Sequence, residues 1–349
     1  MKFLLAIFDK YRPEFEGKKG KYKAFKPLFE VMEYVIFYPS ARVQYAPHVR
    51  DPLDLKRFMG MVLLAMMPCI LSAVYFFGPR VVAMILVSYA VGGICEVLFA
   101  IIRKGEIHEG FFVTGMIFPL ILPPTTPLWM VGVGILFGVF FGKEVFGGTG
   151  RNIFNPALVG RIFVTIAFPA AMTTQWKMPF ADAVTSASPM SLFKIQHVIT
   201  PYKDLLLGNT AGSIGEIFHG GILIGGLFLM ITKVSNWRIP LSYLGSVLIF
   251  SWIGATLSPE KIAPPLFQFL AGGLLFGAMF MATDPVTCPF TRIGKYIFGA
   301  CCGILTVLIR SFSGYVEGVM FSIVIMNAFT PFIDHIVLSV KYKQVQVKT

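Results

Sequence analysis

Glu96, Asp284 and Asp334 are carboxylates set in long apolar stretches, where an acid is costly unless it is paired or handles a cation. Glu96 follows Gly92-Gly93, whose missing side chains would let a helix or a flat ligand approach the backbone; neutralisation by Arg161 is the competing reading. Phe276, Phe280 and Asp284 recur at i, i+4 and i+8, which on a helix stacks two rings and a carboxylate on one face. Such a face is either an aromatic packing stripe or a hydrophobic gate beside a cation-attracting acid. Asn152 and Asn155 carry amides suited to the carbonyls and ring nitrogens of a heteroaromatic ligand, although by spacing alone a helix cap at Asn152 explains the pattern better. The segment "ADAVTSASPM", residues 181 to 190, gathers Asp182 and the hydroxyls of Thr185, Ser186 and Ser188 before Pro189. A hydroxyl there can form a turn, accept a sugar or carry a phosphate-linked cofactor; composition alone leaves these open, with the turn as the ordinary case.

The elements that position these groups follow from composition. With 56% hydrophobic and 14% charged residues among 349, and a mean hydropathy of +0.73, the chain has too little polar surface to cover a water-soluble globule. The apolar windows approach the roughly 20 residues of a spanning helix and lack the alternation of a membrane barrel, so the expected fold is an all-α integral membrane protein. Ten windows are expected to span, near 58–77, 81–102, 110–122, 128–145, 155–171, 217–232, 239–256, 264–282, 295–310 and 316–338. The third ends in four prolines, and the eighth turns abruptly at "TDPVTCP", so broken helices at matching places predict two inverted five-helix repeats around a site near the middle of the membrane. The organisation reads as a basic cytoplasmic segment, 1–57, and a transmembrane domain, 58–338, with a cytoplasmic tail at 339–349. Within the domain lie a first repeat at 58–171, an exterior loop at 172–216 and a second repeat at 217–338.

The formal charge of +12 is placed for a membrane rather than for nucleic acid: twelve Lys and Arg precede Phe58 with no aromatic interleaving. The positive-inside rule then puts the amino terminus in the cytoplasm, Arg103, Lys143, Arg151, Lys233, Arg238, Arg292 and Lys295 on that side, and both termini inside. Phe3, Ile7 and Tyr11 outline a short amphipathic interfacial helix rather than a signal peptide. The five cysteines and five histidines have no metal-ligand spacing, so neither a disulfide nor a metal site is expected. "GGTGRNIFNP" lacks the lysine of a phosphate loop, and the glycines of "VGVGILFG" lie inside a span, which argues against nucleotide binding by this chain.

"PHVRDPLDLKRFMGMV", "EGFFVTGMIFPLILPPTTPLWM", "KEVFGGTGRNIFNPALVGRIF", "DAVTSAS", "MATDPVTCPFTRIGKY" and "EGVMFSIVIMNAFTPFIDHIV" resemble, in order, the NqrB/RnfD family, which contains the NqrB-type membrane subunits of bacterial sodium-translocating NADH:quinone oxidoreductases. The RnfD protein of the Rnf ferredoxin:NAD oxidoreductases is a relative and the alternative identity; a non-redox channel or transporter is the alternative from another class. The resemblance implies that a flavin transferase esterifies an FMN phosphate to Ser188 within the segment containing Asp182; family members usually have threonine at that place, and only a hydroxyl oxygen is needed. It implies riboflavin near Asn152 and Asn155, a quinone site at Gly92 and Gly93, and an ion path through Glu96, Phe276, Phe280, Asp284 and Asp334 for Na+. It implies partners as well: a flavin subunit, an NADH-oxidising iron–sulfur subunit and small membrane subunits in the bacterial inner membrane. The flavins, not a catalytic side chain, would supply the redox chemistry.

Overall fold

The computed structural model describes residues 12, 13, 15, 55–103, 110–173, 176–180 and 185–346. The amphipathic pattern of Phe3, Ile7 and Tyr11, most of the basic segment and Asp182 lie outside the described residues. The first half comprises α1 (Leu55–Phe77), α2 (Arg80–Arg103), α3 (Gly110–Leu120), α4 (Leu128–Val139) continued by a π turn at Phe140–Glu144, and α5 (Pro156–Ala167). A connection follows, with α6 (Pro169–Thr173), β1 (Trp176–Lys177), β2 (Thr185–Ser186), α7 (Pro189–Gln196) and α8 (Tyr202–Leu207). The second half contains α9 (His219–Ile231), α10 (Arg238–Leu257) and α11 (Pro265–Leu270), then α12 (Leu274–Phe276) with its π turn Gly277–Met281, α13 (Arg292–Phe312) and α14 (Val319–Gln346).

Five helices, α1, α2, α10, α13 and α14, are long and apolar enough to cross a bilayer, and α3, α5 and α9 are shorter apolar helices. The chain is therefore an all-α, multi-pass membrane protein. Its polarity is distributed accordingly. Leu64, Leu71, Leu86, Ile94, Ile249 and Trp252 are exposed, whereas Glu96, Lys143, Arg161 and Arg310 are buried. An apolar exterior of that extent is stable against lipid and not against water. Lys143 and Arg310 accordingly drop out of the surface charge balance that orients the chain.

The halves use similar neighbours: α4 packs on α2 and α5, α13 packs on α10 and α14, and α1 meets α9. At the α10–α13 seam, Gly299 and Gly303 admit the Ser242 and Ser246 hydroxyls and the α10 backbone where any Cβ would collide. Behind it, the Tyr243 hydroxyl lies 2.7 Å from Thr306 Oγ1 and 3.1 Å from Ser322 Oγ, so that the buried polar groups satisfy one another.

Two helices are interrupted inside the bundle. α3 stops where Pro119, Pro123, Pro124 and Pro127 deny it the N–H groups to continue. Its last carbonyls are taken instead by the end of the long connection: Gly215 N–H donates to Leu120 O at 2.7 Å and Ile214 N–H to Leu122 O at 3.1 Å. The second interruption falls earlier than the Asp284-Pro285 turn suggests. It lies at Ala271–Gly273, where Gly272 has φ of +67°. A Cβ at Gly272 would collide with Glu317 Oε1 and approach Arg310 Nη2 to 2.9 Å. Gly272→Ala should therefore cost about 1–3 kcal/mol through left-handed backbone strain alone, before the collision is added. Its check is the thermal unfolding midpoint of the detergent-solubilised protein, and a midpoint equal to that of the parent would contradict the strain.

Candidate functional site

The acids expected to share one ion path fall into three environments. Glu96, on α2, is buried and accepts a hydrogen bond from Lys143 Nζ, itself buried on the π turn of α4. A structural partner therefore exists, as the competing reading had it, but it is Lys143 and not Arg161, which faces Glu216. The residue after Lys143, Glu144, takes Arg103 Nη1 at 2.9 Å. Asp334 lies elsewhere: its carboxylate accepts from Phe290 N–H at 2.9 Å, Thr291 N–H at 3.1 Å and Thr291 Oγ1 at 2.6 Å, tying α14 to the start of α13. These contacts are all to that turn, and Asp334 does not line the cavity described next.

Phe276 and Phe280 do meet, with centroids 5.1 Å apart and rings inclined at 46°. Asp284 does not share their face as the i, i+4, i+8 pattern predicts, because the helix ends with the π turn at Met281 and Asp284 lies beyond it. The acid sits in the turn beyond, where Thr287 Oγ1 donates to it at 2.9 Å. Gly277 is a packing glycine, since a Cβ there would strike Val319 of α14.

Phe280 and Asp284 nonetheless line one cleft of about 700 Å3, counting its open mouth, with Phe58, Lys143, Thr149, Asn152, Asn155 and Ser235. The roles of the asparagines are the reverse of the spacing argument. Asn155 is the N-cap of α5, its Oδ1 accepting from Ala157 N–H at 3.1 Å, while Asn152 Nδ2 donates to Phe154 O at 3.0 Å within the glycine-rich turn. Thr149 Oγ1 and Ser235 Oγ are buried with no hydrogen-bond partner among the described residues. Orphaned hydroxyls in a cleft walled by Phe280 and Phe58 fit a ligand with an aromatic body and polar edges. Gly92 and Gly93 face the Phe111 ring: a Cβ at Gly92 would lie 3.0 Å from that ring and 3.1 Å from Ile135.

Ser188 occupies a second cleft, with Trp176, Glu216, His219, Gly272 and Glu317. Trp176 and Lys177 pair antiparallel with Ser186 and Thr185, which closes the chain into a hairpin and delivers Ser188 as the N-cap of α7. Its Oγ accepts from Ser191 N–H at 3.3 Å, with Pro189 at the first helical position. A group carried on that oxygen would stand at the amino end of α7, where the helix dipole favours an anion, although Pro189 has no N–H to offer and Ser191 N–H is already taken.

Four charged residues beneath Ser188 have no part in the pattern that the sequence suggests for this site. Arg161 Nη1 donates to Ser213 Oγ at 3.1 Å and lies 3.8 Å from Glu216, while Arg310 Nη2 lies 3.7 Å from Glu317. Arg310 also donates from Nη1 to Gln268 O at 2.9 Å and from Nη2 to Ala271 O at 3.0 Å. The signal that could find them is a cation inside an apolar window, which Arg161 and Lys143 both present.

The Glu96–Lys143 contact makes its own forecast. Glu96→Gln strands a buried ammonium and should cost about 3–5 kcal/mol, whereas Glu96→Gln combined with Lys143→Met should recover most of that. Thermal stability of the two variants distinguishes the cases; a double variant as unstable as the single one would show that the pair is not the reason.

A profile of the NQR2, RnfD, RnfE family matches residues 42–343. An NqrB-type protein of Ectopseudomonas mendocina, from its Na(+)-translocating NADH-quinone reductase, is 38% identical to this chain, with 97% of this chain and 98% of that protein aligned. The corresponding reductase proteins of Pseudomonas aeruginosa and Klebsiella pneumoniae are 36% and 34% identical over 97% of this chain and at least 97% of their own lengths. Similarity of that extent leaves one conclusion: the chain belongs to the NQR2, RnfD, RnfE family.

Proposed function

We propose that this chain is the NqrB-type membrane subunit of a sodium-translocating NADH:quinone oxidoreductase of the bacterial inner membrane, with FMN esterified to Ser188 and riboflavin held in the cleft of Asn152 and Asn155. The observation that supports it most is one cleft lined together by Phe280, Asp284, Asn152 and Asn155, whose Phe280 ring meets Phe276. The Phe276 ring also lies 3.2 Å from the place a Cβ of Gly215 would take, beside Glu216 of the outer cleft, which holds Ser188. Bound flavins supply the one- and two-electron chemistry that no side chain here can perform. The protein supplies position, charge and closure.

Each group then has a task. Ser188 offers its oxygen at the amino end of α7. Thr149, Ser235 and the two asparagines offer polar contacts to a heteroaromatic edge, and Phe280 offers a ring wall. Asp284 stands at the same cleft and attracts a cation, while the Phe276–Phe280 pair closes the way by leaving no polar surface for a hydrated ion. Glu96, held by Lys143, contributes a buried neutral pair rather than a free carboxylate. A quinone headgroup reaching Gly92 and Gly93 has to displace the Phe111 ring that covers them. The matching packing of the halves supports ten spans in two inverted repeats, and the placement of Lys and Arg along the sequence supports cytoplasmic termini. The remaining subunits, which oxidise NADH and carry other redox groups, and the flavin transferase are the partners this reading requires. RnfD proteins share the family, but the three relatives aligned above all come from the sodium-translocating reductase, which favours that complex.

Mass spectrometry of the peptide containing residues 181–190, from cells expressing the transferase, tests the attachment. The peptide should carry an FMN adduct less one water, Ser188→Ala should lose it together with sodium-dependent quinone reduction, and Ser188→Thr should keep both. An unmodified parent peptide would overturn the assignment and return the chain to the class of plain transporters.

A further inference from the structure

The helix that starts at Ser188 ends in a lysine whose contacts the proposed function does not use. Lys194 Nζ donates to three main-chain carbonyls, those of Arg310 at 3.1 Å, Tyr315 at 2.9 Å and Ser313. An ammonium has three donors and no acceptor, so the side chain is fully committed. Its acceptors belong to the last turn of α13 and the residues just beyond, where a helix leaves carbonyls without partners and the dipole favours a cation. Lys194 thus caps a helix more than one hundred residues away in the chain.

The residue at the centre of that cap faces two ways. The main-chain oxygen of Arg310 is held by Lys194, and its buried guanidinium donates to the carbonyls of Gln268 and Ala271, in the last turn and at the C-cap of α11, where the second helix break begins. From Ala271 the chain runs through Gly272 and Gly273 directly into α12 and the π turn bearing Phe276 and Phe280. A second, apolar contact joins the same elements: Phe193 of α7 lies 5.7 Å from Phe267 of α11 in a small core with Met190, Leu205 and Leu270. The segment carrying Ser188 is therefore fastened to the broken helix by two contacts of different chemistry.

We infer that Lys194 and Arg310 are positioning residues that join the Ser188-bearing helix to the aromatic constriction, so that a displacement of α7 is delivered to Phe276 and Phe280 through the carbonyls of residues 268–271. The inference rests on the proposed function for its meaning and on the three-carbonyl cap for its geometry. Energetic coupling between sites requires a connected element that both can bias, and a guanidinium gripping an interrupted helix is such an element. Arg161 and Glu216 hold the first break's side of the outer cleft and share no hydrogen bond with Lys194.

The test uses the whole complex in two forms. In complex purified from cells lacking the flavin transferase, hydrogen exchange is followed at residues 188–197 and 266–276. Lys194→Met should speed exchange in both segments by about tenfold, and Lys194→Arg, which keeps a cationic donor, should restore the parent rates. In flavinylated complex reconstituted in vesicles, Lys194→Met should lower the number of sodium ions moved per electron, with Lys194→Arg again restoring it. Exchange confined to 188–197, or an unchanged ion-to-electron ratio, overturns the inference; so does a parallel loss of electron transfer and ion movement that leaves their ratio intact, the mark of a purely structural residue. Flavin fluorescence of the denatured parent and Lys194→Met chains is read separately, so absence of flavin from the parent counts against the attachment and not against the joint.

Discussion

A helix that stops inside hydrocarbon leaves carbonyls that no water can reach, and the rest of this fold is arranged around meeting that demand. The two interruptions meet it differently. At the first, backbone answers backbone: the connection's last residues, Ile214 and Gly215, fold inward and donate to Leu122 and Leu120. At the second, side chains answer: Arg310 reaches Gln268 and Ala271, and His219 Nε2 donates to Leu270 O at 2.8 Å. A backbone pairing is fixed by the path of the chain, whereas a side-chain donor can follow its own helix. The second interruption is thus the one whose satisfaction depends on where another helix sits, and it is the one that leads to the aromatic constriction.

The buried charges follow the same logic of local compensation. Glu96 and Lys143 contact directly, while the outer pairs, Arg161–Glu216 at 3.8 Å and Arg310–Glu317 at 3.7 Å, are longer and leave both guanidinium Nε atoms without a partner among the described residues. A closely paired acid is a neutral unit with little attraction for a passing cation. Pairs held at longer range are less strongly compensated, and they lie at the cleft beside Ser188, where the proposed redox group carries its own negative phosphate.

Composition and apolar windows make the membrane class and the positions of most helices legible, because a spanning helix must be apolar along its whole lipid-facing length. The prolines after α3 mark the first break for the same local reason. The second break lies earlier in the chain than the pattern suggests: "TDPVTCP" is the louder punctuation, while the break itself is made by Gly272, whose positive φ has no signature beyond being glycine among other glycines. Partners across the bundle are not legible at all. Glu96 finds Lys143 and not Arg161, and Lys194 finds the end of α13, because such pairings are set by how helices pack and not by spacing along one helix. The asparagines exchange roles for a related reason: only the folded turn shows that Pro156, not an earlier residue, opens α5 and makes Asn155 its cap.

The two π turns explain why periodicity misplaces Asp284. Each is marked by a hydrogen bond five residues back, Val145 N–H to Phe140 O at 2.9 Å and Ala282 N–H to Gly277 O at 2.8 Å. One extra residue in a turn rotates everything after it by about 100° relative to a continuous α-helix. Helix α12 itself ends with its π turn at Met281, so Asp284 lies outside the repeat that Phe276 and Phe280 share. With the wider turn the rings keep their contact, and the acid is turned out into a bend where Thr287 Oγ1 donates to it. The same device on α4 turns Lys143 toward Glu96 and the cleft that Asp284 also lines. Closure and attraction of a cation are opposed requirements, one needing a dry surface and the other an exposed charge; the end of the helix at Met281 separates them along the chain while keeping both at the same cleft.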